Sequence, residues 1–434
     1  MSAELISILV LVVVFVIATT RSINMGALAF AAAFAVGELV AGLDADGIFA
    51  GFPGDLFVVL VGVTYLFAIA RANGTTDWLV HASIRLVRGR VALIPWVMFA
   101  LTGALTAIGA VSPAAVAIVA PIALSFAARY SISPLLMGAM VVHGAQAGGF
   151  SPISIYGSIV NGIVEREKLA GSEITLFLAS LVVNLVIAGI VFVLFGGLRL
   201  WAKGDVTATG TGTATRTGTA TDTRENEDAD EGADTRLTPA RGATLAALVA
   251  LVVAVLAFDL DAGLTAITLA VLLSACWPED SRHAVGQIAW PTVLLICGVL
   301  TYVGVLDEMG TIKWAGEGVS DIGIPLLAAV LLCYIGAIVS AFASSVGIMG
   351  ALIPLAVPFL AQGEIGAVGM VAALAVSATV VDVSPFSTNG ALVLAAAPDV
   401  DRDRFFRQLM IYGGIVVAVV PAVVWLAMVV PGLG

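Results

Sequence analysis

The chain reads Gly148-Gly149-Phe150-Ser151-Pro152-Ile153-Ser154 in one half and Val381-Asp382-Val383-Ser384-Pro385-Phe386-Ser387 in the other. Each stretch lies inside a long apolar run and interrupts it, because proline lacks an N–H and clashes with the preceding helical turn. Around these stretches, an offset of 233 maps Ser112 to Ser345, Pro121 to Pro354, Ser151 to Ser384, Ser154 to Ser387 and Gly157 to Gly390. Pro121 to Ser151 is 30 positions, and so is Pro354 to Ser384. So many matched positions at one offset argue for an internal repeat over a chance likeness of two Ala/Val-rich stretches. A pair of interrupted hydrophobic segments at corresponding places in two halves is the sequence pattern of a binding site between membrane repeats.

The composition demands a membrane. Of 434 residues, 60% are apolar and 11% charged, where a soluble domain carries roughly 25% charged residues. Apolar runs of roughly 20 residues, enough to cross a bilayer, recur along the chain. Such runs must be helices or a closed barrel, and they lack the alternation of barrel strands, so an all-α integral membrane protein is expected, with lipid as its surroundings. Met1–Thr20 has no basic leader and no small-x-small cleavage site before Arg21, and reads as a first span. Cys276, Cys297 and Cys333 lie in or beside apolar segments at no metal spacing and read as packing residues. Nothing points to nucleic acid. Net charge is −11, concentrated in a Thr/Gly/Asp/Glu-rich stretch over 201–240 that cannot bury a core and reads as a disordered acidic linker. It divides an N-terminal repeat, 1–200, from a C-terminal one, 241–434.

Ten spans are expected, near 5–20, 25–42, 56–71, 134–164, 173–198, 243–258, 262–277, 291–306, 366–397 and 409–430. Two of them, 134–164 and 366–397, are discontinuous. The stretches 91–128 and 324–361 remain, and read as re-entrant hairpins with Ser112 and Ser344-Ser345 at their tips. With both termini outside the cell membrane and the linker cytoplasmic, 16 of the 19 Lys and Arg residues fall inside, leaving Arg166, Lys168 and Lys313 outside. That is the bias cytoplasmic loops show. Five crossings per half then turn the second repeat upside-down relative to the first.

Unwound backbone in a membrane is tolerated where it lines a cavity or is buried in protein. The breaks therefore place Ser112, Ser151, Ser154, Ser344, Ser345, Ser384, Ser387, Thr388 and Asn389 as candidate substrate-binding residues. Hydroxyls and freed carbonyls are hard oxygen ligands for a small cation. Gly149, Ser151, Asp382 and Ser384 are candidates for a coupling ion, and Na⁺ could sit among Ser112, Ser151, Ser345 and Ser384. Helices restarting after each break offer N–H groups and a positive dipole end to a carboxylate. No Lys or Arg falls in the assigned mid-membrane regions, so the sequence leaves an anion to those dipoles, hydroxyls and co-bound cations. Asp382 is the one carboxylate beside a break; it reads either as an ion or proton carrier or as a cap on the following half-helix. His143 and Gln146 share a helix face, with His143 read as a packing residue or a pH sensor. Asn161 and Asn184 read as helix-to-helix hydrogen-bonding residues.

A Ser-tipped hairpin ending in Pro121-Ile122 and paired with a Gly-Gly-x-Ser-Pro broken helix resembles the ion transporter superfamily, which includes divalent-anion/sodium symporters and sodium/proton antiporters. Within it, Phe52-Pro53-Gly54-Asp55-Leu56-Phe57, Val61 through Ala68, Asn73-Gly74-Thr75 and Gly148 to Gly157 look like the MatC-type dicarboxylate (malonate) carriers. The resemblance implies a homodimer with a static scaffold and a moving transport domain that holds both hairpins and both broken helices. By residue match it puts the tips at Val111-Ser112-Pro113 and Ala343-Ser344-Ser345, and the broken-helix motifs at Gly149 through Ser154 and Asp382 through Asn389. The anion symporters carry Ser-Asn-Thr at both tips; neither tip here has an Asn, so the resemblance leaves coupling ion and anion open.

The reading is then a Na⁺- or H⁺-coupled symporter of a small organic anion, a C3–C4 dicarboxylate such as malonate, with a Na⁺/H⁺ antiporter of the same fold as the alternative. No cofactor beyond the coupling ion is expected, and no enzyme. An intramembrane hydrolase using Ser151 and His143 would lack the Gly-x-Ser-Gly and Gly-x-Gly-Asp signatures, and Pro152 directly follows the nucleophile. No Walker A sequence supports an ATP-driven pump within this chain.

Overall fold

The computed structural model describes residues 2–21, 23–85, 90–202, 237–258, 260–312, 314, 325–341, 345–360, 365–397 and 400–433. Ser344, Lys313 and most of the 201–240 stretch lie outside the described residues. Among the described residues there is no strand. The main helices of the first half are α1 Ala3–Thr20, α2 Met25–Val36, α3 Gly54–Ala72, α4 Thr75–Arg85, α5 Ile94–Ala107, α6 Ser112–Arg129, α7 Pro134–Gly148, α8 Ile155–Arg166 and α9 Glu173–Leu194. Those of the second are α10 Pro239–Phe258, α11 Ala262–Cys276, α12 Trp290–Glu308, α13 Pro325–Ser340, α14 Ser345–Leu360, α15 Ala367–Val380, α16 Thr388–Ala396 and α17 Arg402–Met428. Six of them (α3, α6, α9, α10, α12 and α17) are long and apolar enough to cross a membrane. Shorter apolar helices make up the rest, and large side chains such as Val182, Val186, Ile190 and Val193 of α9 stand exposed. In water such a face would be unstable; in lipid it is the ordinary outer surface of a bundle.

Local chemistry explains the starts. Ser2, Asn24, Ser133, Ser172, Asp261 and Asp401 each accept a backbone N–H of the first turn of the helix that follows, satisfying donors that have no intrahelical partner. The stretch read as one span over 134–164 is two helices, α7 and α8, and that over 366–397 is α15 and α16, with the breaks at the quoted motifs. The stretch over 91–128 is the helix pair α5 and α6, packed on each other across a short link in which Gly109 adopts φ +115°. That conformation is costly for any residue with a Cβ. Pro121 does not break its helix; it lies inside α6, as Pro354 does inside α14. Two features were not read from the sequence: helix α4, and the π-helical turn Gly37–Ala41 that prolongs α2. Cys297 and Cys333 are buried as expected, whereas Cys276, at the end of α11, is exposed.

Shifted by 233, α1, α2, α3, α5, α6, α7, α8 and α9 fall on α10, α11, α12, α13, α14, α15, α16 and α17 to within a few residues. The packing exchanges partners between the halves. Helix α2 packs on α12 while its counterpart α11 packs on α3. Likewise α6 packs on α16 while α14 packs on α8. Glycines make the first two contacts close: a Cβ on Gly26 would run into the Leu294 backbone, and one on Gly263 into the backbone of Val59. Small residues let helices approach this way where lipid removes the hydrophobic drive to associate. Counterparts α3 and α12 also run in opposite directions. Arg71, at the end of α3, donates to Gln287, just before α12 begins, at 3.4 Å.

Candidate functional site

The two breaks are one hydrogen-bonded module built twice. Ser154 Oγ donates to the carbonyls of Gly149 (2.5 Å) and Ser151 (2.6 Å), and accepts from Gly157 N–H at 3.1 Å. Ser387 Oγ donates to the carbonyls of Asp382 (2.5 Å) and Ser384 (2.7 Å), and accepts from Gly390 N–H at 3.3 Å. The backbone bond from Gly157 N to Gly149 O, 3.2 Å, is matched by that from Gly390 N to Asp382 O, 3.1 Å. Ser154 and Ser387 share their backbone angles, φ −81°, ψ 160° and φ −78°, ψ 162°. A Cβ on Gly157 or Gly390 would collide with the carbonyl oxygen of Ser151 or Ser384. Each serine is thus the N-cap of its half-helix, its one hydroxyl proton shared between two backbone carbonyls and its oxygen accepting a backbone N–H.

What the modules do not share is the side chain at the first break position. Gly149 in one half is Asp382 in the other, and Asp382 is only 5% exposed. Ser345, the first residue of α14, donates to its Oδ1 at 2.7 Å. Gln146 of α7 donates to its Oδ2 at 3.0 Å, and Asn389 of α16 reaches the same oxygen at 3.4 Å. Asn389 also donates to Ser112 Oγ at 2.8 Å, and Ser340 donates to Ser345 Oγ at 2.9 Å. Burying an ionised carboxylate is costly unless it is paired and hydrogen-bonded, and here three donors from three helices converge on it. Gln146 Oε1 and Asn389 Oδ1 are buried and have no partner among the described residues. Two orphaned amide oxygens beside a carboxylate form an oxygen-rich set of the kind small cations take.

The structure therefore gathers Ser112, Ser345, Asp382 and Asn389 from the sequence-derived set, drawing on both halves. Ser151 and Ser384 stand apart: Ser151 Oγ donates to the Ala107 carbonyl, and Ser384 packs on Gly413 of α17 while its Oγ accepts from Phe386 N–H at 3.3 Å. Gln146 is the member that sequence reasoning passed over. Its placement on the face of His143 was visible, but its partner lies 236 residues away.

Beside this cluster opens a cavity of about 630 Å³. Ser345, Asp382 and Thr388 line it together with Tyr156 of α8, and with Val111, Pro113 and Ala114 at the start of α6. Four helix N-termini (α6, α8, α14 and α16) thus border one space. Apolar side chains, including Phe15, Phe67 and Leu295, make much of the remaining wall. Arg71 also lines it, alongside Gln287 and Asn24. This corrects the sequence reading that left an anion without a nearby basic side chain.

His143 is held on both sides. Asn184 donates through Nδ2 to the Ser180 carbonyl at 2.9 Å, so its Oδ1 accepts from His143 Nδ1–H at 2.9 Å. His143 Nε2 pairs with the Tyr412 hydroxyl at 2.6 Å. These two contacts make His143 a packing residue that joins α7, α9 and α17. Asn184 links helices as read from the sequence; Asn161 leaves its Nδ2 without a partner among the described residues. At the end of α3 opposite Arg71, Arg166 donates to Asp55 Oδ1 at 2.8 Å and to the Gly51 carbonyl at 3.4 Å.

Residues 1–149 match the family model described as the dicarboxylate carrier protein MatC N-terminus. No curated protein matches the chain significantly. The match points to a multi-pass membrane transporter of dicarboxylates rather than an enzyme, in keeping with the apolar helices.

Proposed function

We propose that the chain is a secondary active transporter that moves a C3–C4 dicarboxylate such as malonate together with Na⁺ or H⁺. The single observation that carries this reading is Asp382, a buried carboxylate that joins the broken helices of both halves and faces the cavity. Its oxygens, with Gln146 Oε1, Asn389 Oδ1 and Ser345 Oγ, form the coupling-ion site. A proton on Asp382 would serve the same end, since either cation removes the cost of a buried charge. The anion lies in the adjoining cavity, against the N-terminal turns of α6, α14 and α16, where free N–H groups and positive dipole ends favour a carboxylate.

Transport proceeds by alternating access. The antiparallel run of α3 and α12, and the exchange of packing partners between halves, support an inverted-topology repeat with α5–α6 and α13–α14 as its two hairpins. Arg71, exposed, marks the open end of the cavity, and the Asp55–Arg166 ion pair lies at the other end of α3. With the termini outside the cell membrane, that open end faces the cytoplasm. A homodimer in the bilayer completes the carrier.

The test is uptake of radiolabelled malonate and succinate into proteoliposomes, with and without an inward Na⁺ or proton gradient. Gradient-dependent accumulation of either dianion supports symport. Proton efflux driven by Na⁺ with no anion uptake would make the protein a Na⁺/H⁺ antiporter.

A further inference from the structure

The cavity has two charged side chains among the described residues that line it, Asp382 and Arg71. They differ in setting. Asp382 is buried and triply hydrogen-bonded, whereas Arg71 is exposed, and its one side-chain partner among the described residues is Gln287 Oε1 at 3.4 Å. No carboxylate pairs with Arg71 among the described residues. Its guanidinium therefore has spare donors at the edge of a space with largely apolar walls. Arg71 stands in the last turn of α3, where the helix dipole favours a cation. That accounts for a positive charge at this place, but not for a glutamine from before α12 meeting it across the cavity rim.

We propose that Arg71, steadied by Gln287, is the specificity-determining residue that receives one carboxylate of the dianion, while the other reaches the helix N-termini around Ser345 and Thr388. The inference rests on the dicarboxylate reading above and deepens it. Once a bound cation neutralises Asp382, Arg71 is the cavity's remaining counter-charge. The planar guanidinium binds a carboxylate through two parallel hydrogen bonds, which a lysine cannot reproduce. A second carboxylate on the substrate is thereby read directly. A substrate whose far end is a neutral amide loses the charge-assisted part of that contact.

The experiment measures KM for succinate and for its monoamide, succinamate, in proteoliposomes of wild type, Arg71→Lys, Arg71→Gln and Gln287→Ala. Arg71→Gln is expected to raise the succinate KM by about tenfold to a hundredfold, the range of a lost charged hydrogen bond. It should also bring the succinate-to-succinamate preference close to one. Arg71→Lys should fall between, and Gln287→Ala should weaken the preference a few-fold with the charge still in place. A purely structural Arg71 would change the amount of folded protein or the rate for both substrates, and leave their ratio alone. An unchanged ratio in Arg71→Gln overturns the proposal; if that variant fails to fold, an unchanged ratio in both Arg71→Lys and Gln287→Ala does so. Wild type that takes up no dicarboxylate would sink the underlying transport reading instead, whatever Arg71 does.

Discussion

The break at Gly149–Ser154 and the break at Asp382–Ser387 have the same backbone and different chemistry. Bond for bond, each serine N-cap ties down two carbonyls and one N–H, and each is closed by a glycine three residues on. The differences lie before and between the shared serines, proline and glycine: Gly149 corresponds to Asp382, Gln146 to Thr379, and Tyr156 to Asn389 across the repeat. A duplicated scaffold thus makes two identical unwindings while only one of them carries a carboxylate. The lesson is that the Ser-Pro-x-Ser-x-x-Gly frame fixes geometry, and its variable positions fix chemistry.

The comparison can be broken most decisively at Asp382. Asp382→Asn should lower cation-coupled uptake by upward of a hundredfold, since removing one member of a buried charge site costs about 3–5 kcal/mol. The variant should remain monodisperse on size exclusion, because an amide can keep the contact with Ser345. Retained coupling in this variant would mean that the carboxylate only ties its three neighbouring helices together; it does not cap α16, because Ser387 does. Next come the closing glycines. Gly157→Ala and Gly390→Ala each force a Cβ against a backbone carbonyl and should each destabilise by about 1–3 kcal/mol, seen as matching drops in detergent melting temperature. If only one of the pair falls, the two modules are not mechanically equivalent.

Smaller effects sharpen the picture. Ser154→Ala and Ser387→Ala remove an N-cap and should each cost about 1 kcal/mol, with melting temperature affected more than the affinity for substrate. A large KM change from either would restore these hydroxyls as ligands. Gly149→Ala should be the mildest, within about 1 kcal/mol either way. Its backbone is already helical, φ −62° and ψ −17°, and the added carbon would sit 3.2 Å from Tyr156 Cδ2. A severe loss from Gly149→Ala would show that the N-terminal break needs bare backbone for something other than folding.

Much of this fold was legible because proline, glycine and capping serines act locally. The offset of 233 found Ser112, Ser151, Ser154 and their counterparts, and helix ends fell within a few residues of the hydropathy runs. Pro121 and Pro354 show where local rules mislead, since each is absorbed inside a helix. The site was less legible, because its geometry is made by the exchange of packing between halves. Nothing in the spacing of Gln146 and Asp382 announces a contact. Arg71 closes the span expected near 56–71, but hydropathy reports the depth of a segment and not the cavity beside it. Ser154 and Ser387 were rightly located but sit turned into their own backbone.

One feature of the packing bears on how the protein is made. Asn389 meets Ser112 across 277 residues of chain, and α16 fills the groove beside α6. At ~5–20 residues per second, ribosomes take roughly 15 to 55 s to supply that missing partner. Through that interval the nascent first half must wait in the bilayer with its groove open and its serine unmatched. Its early folding is therefore provisional, and the last stretch of translation acts as the assembly step.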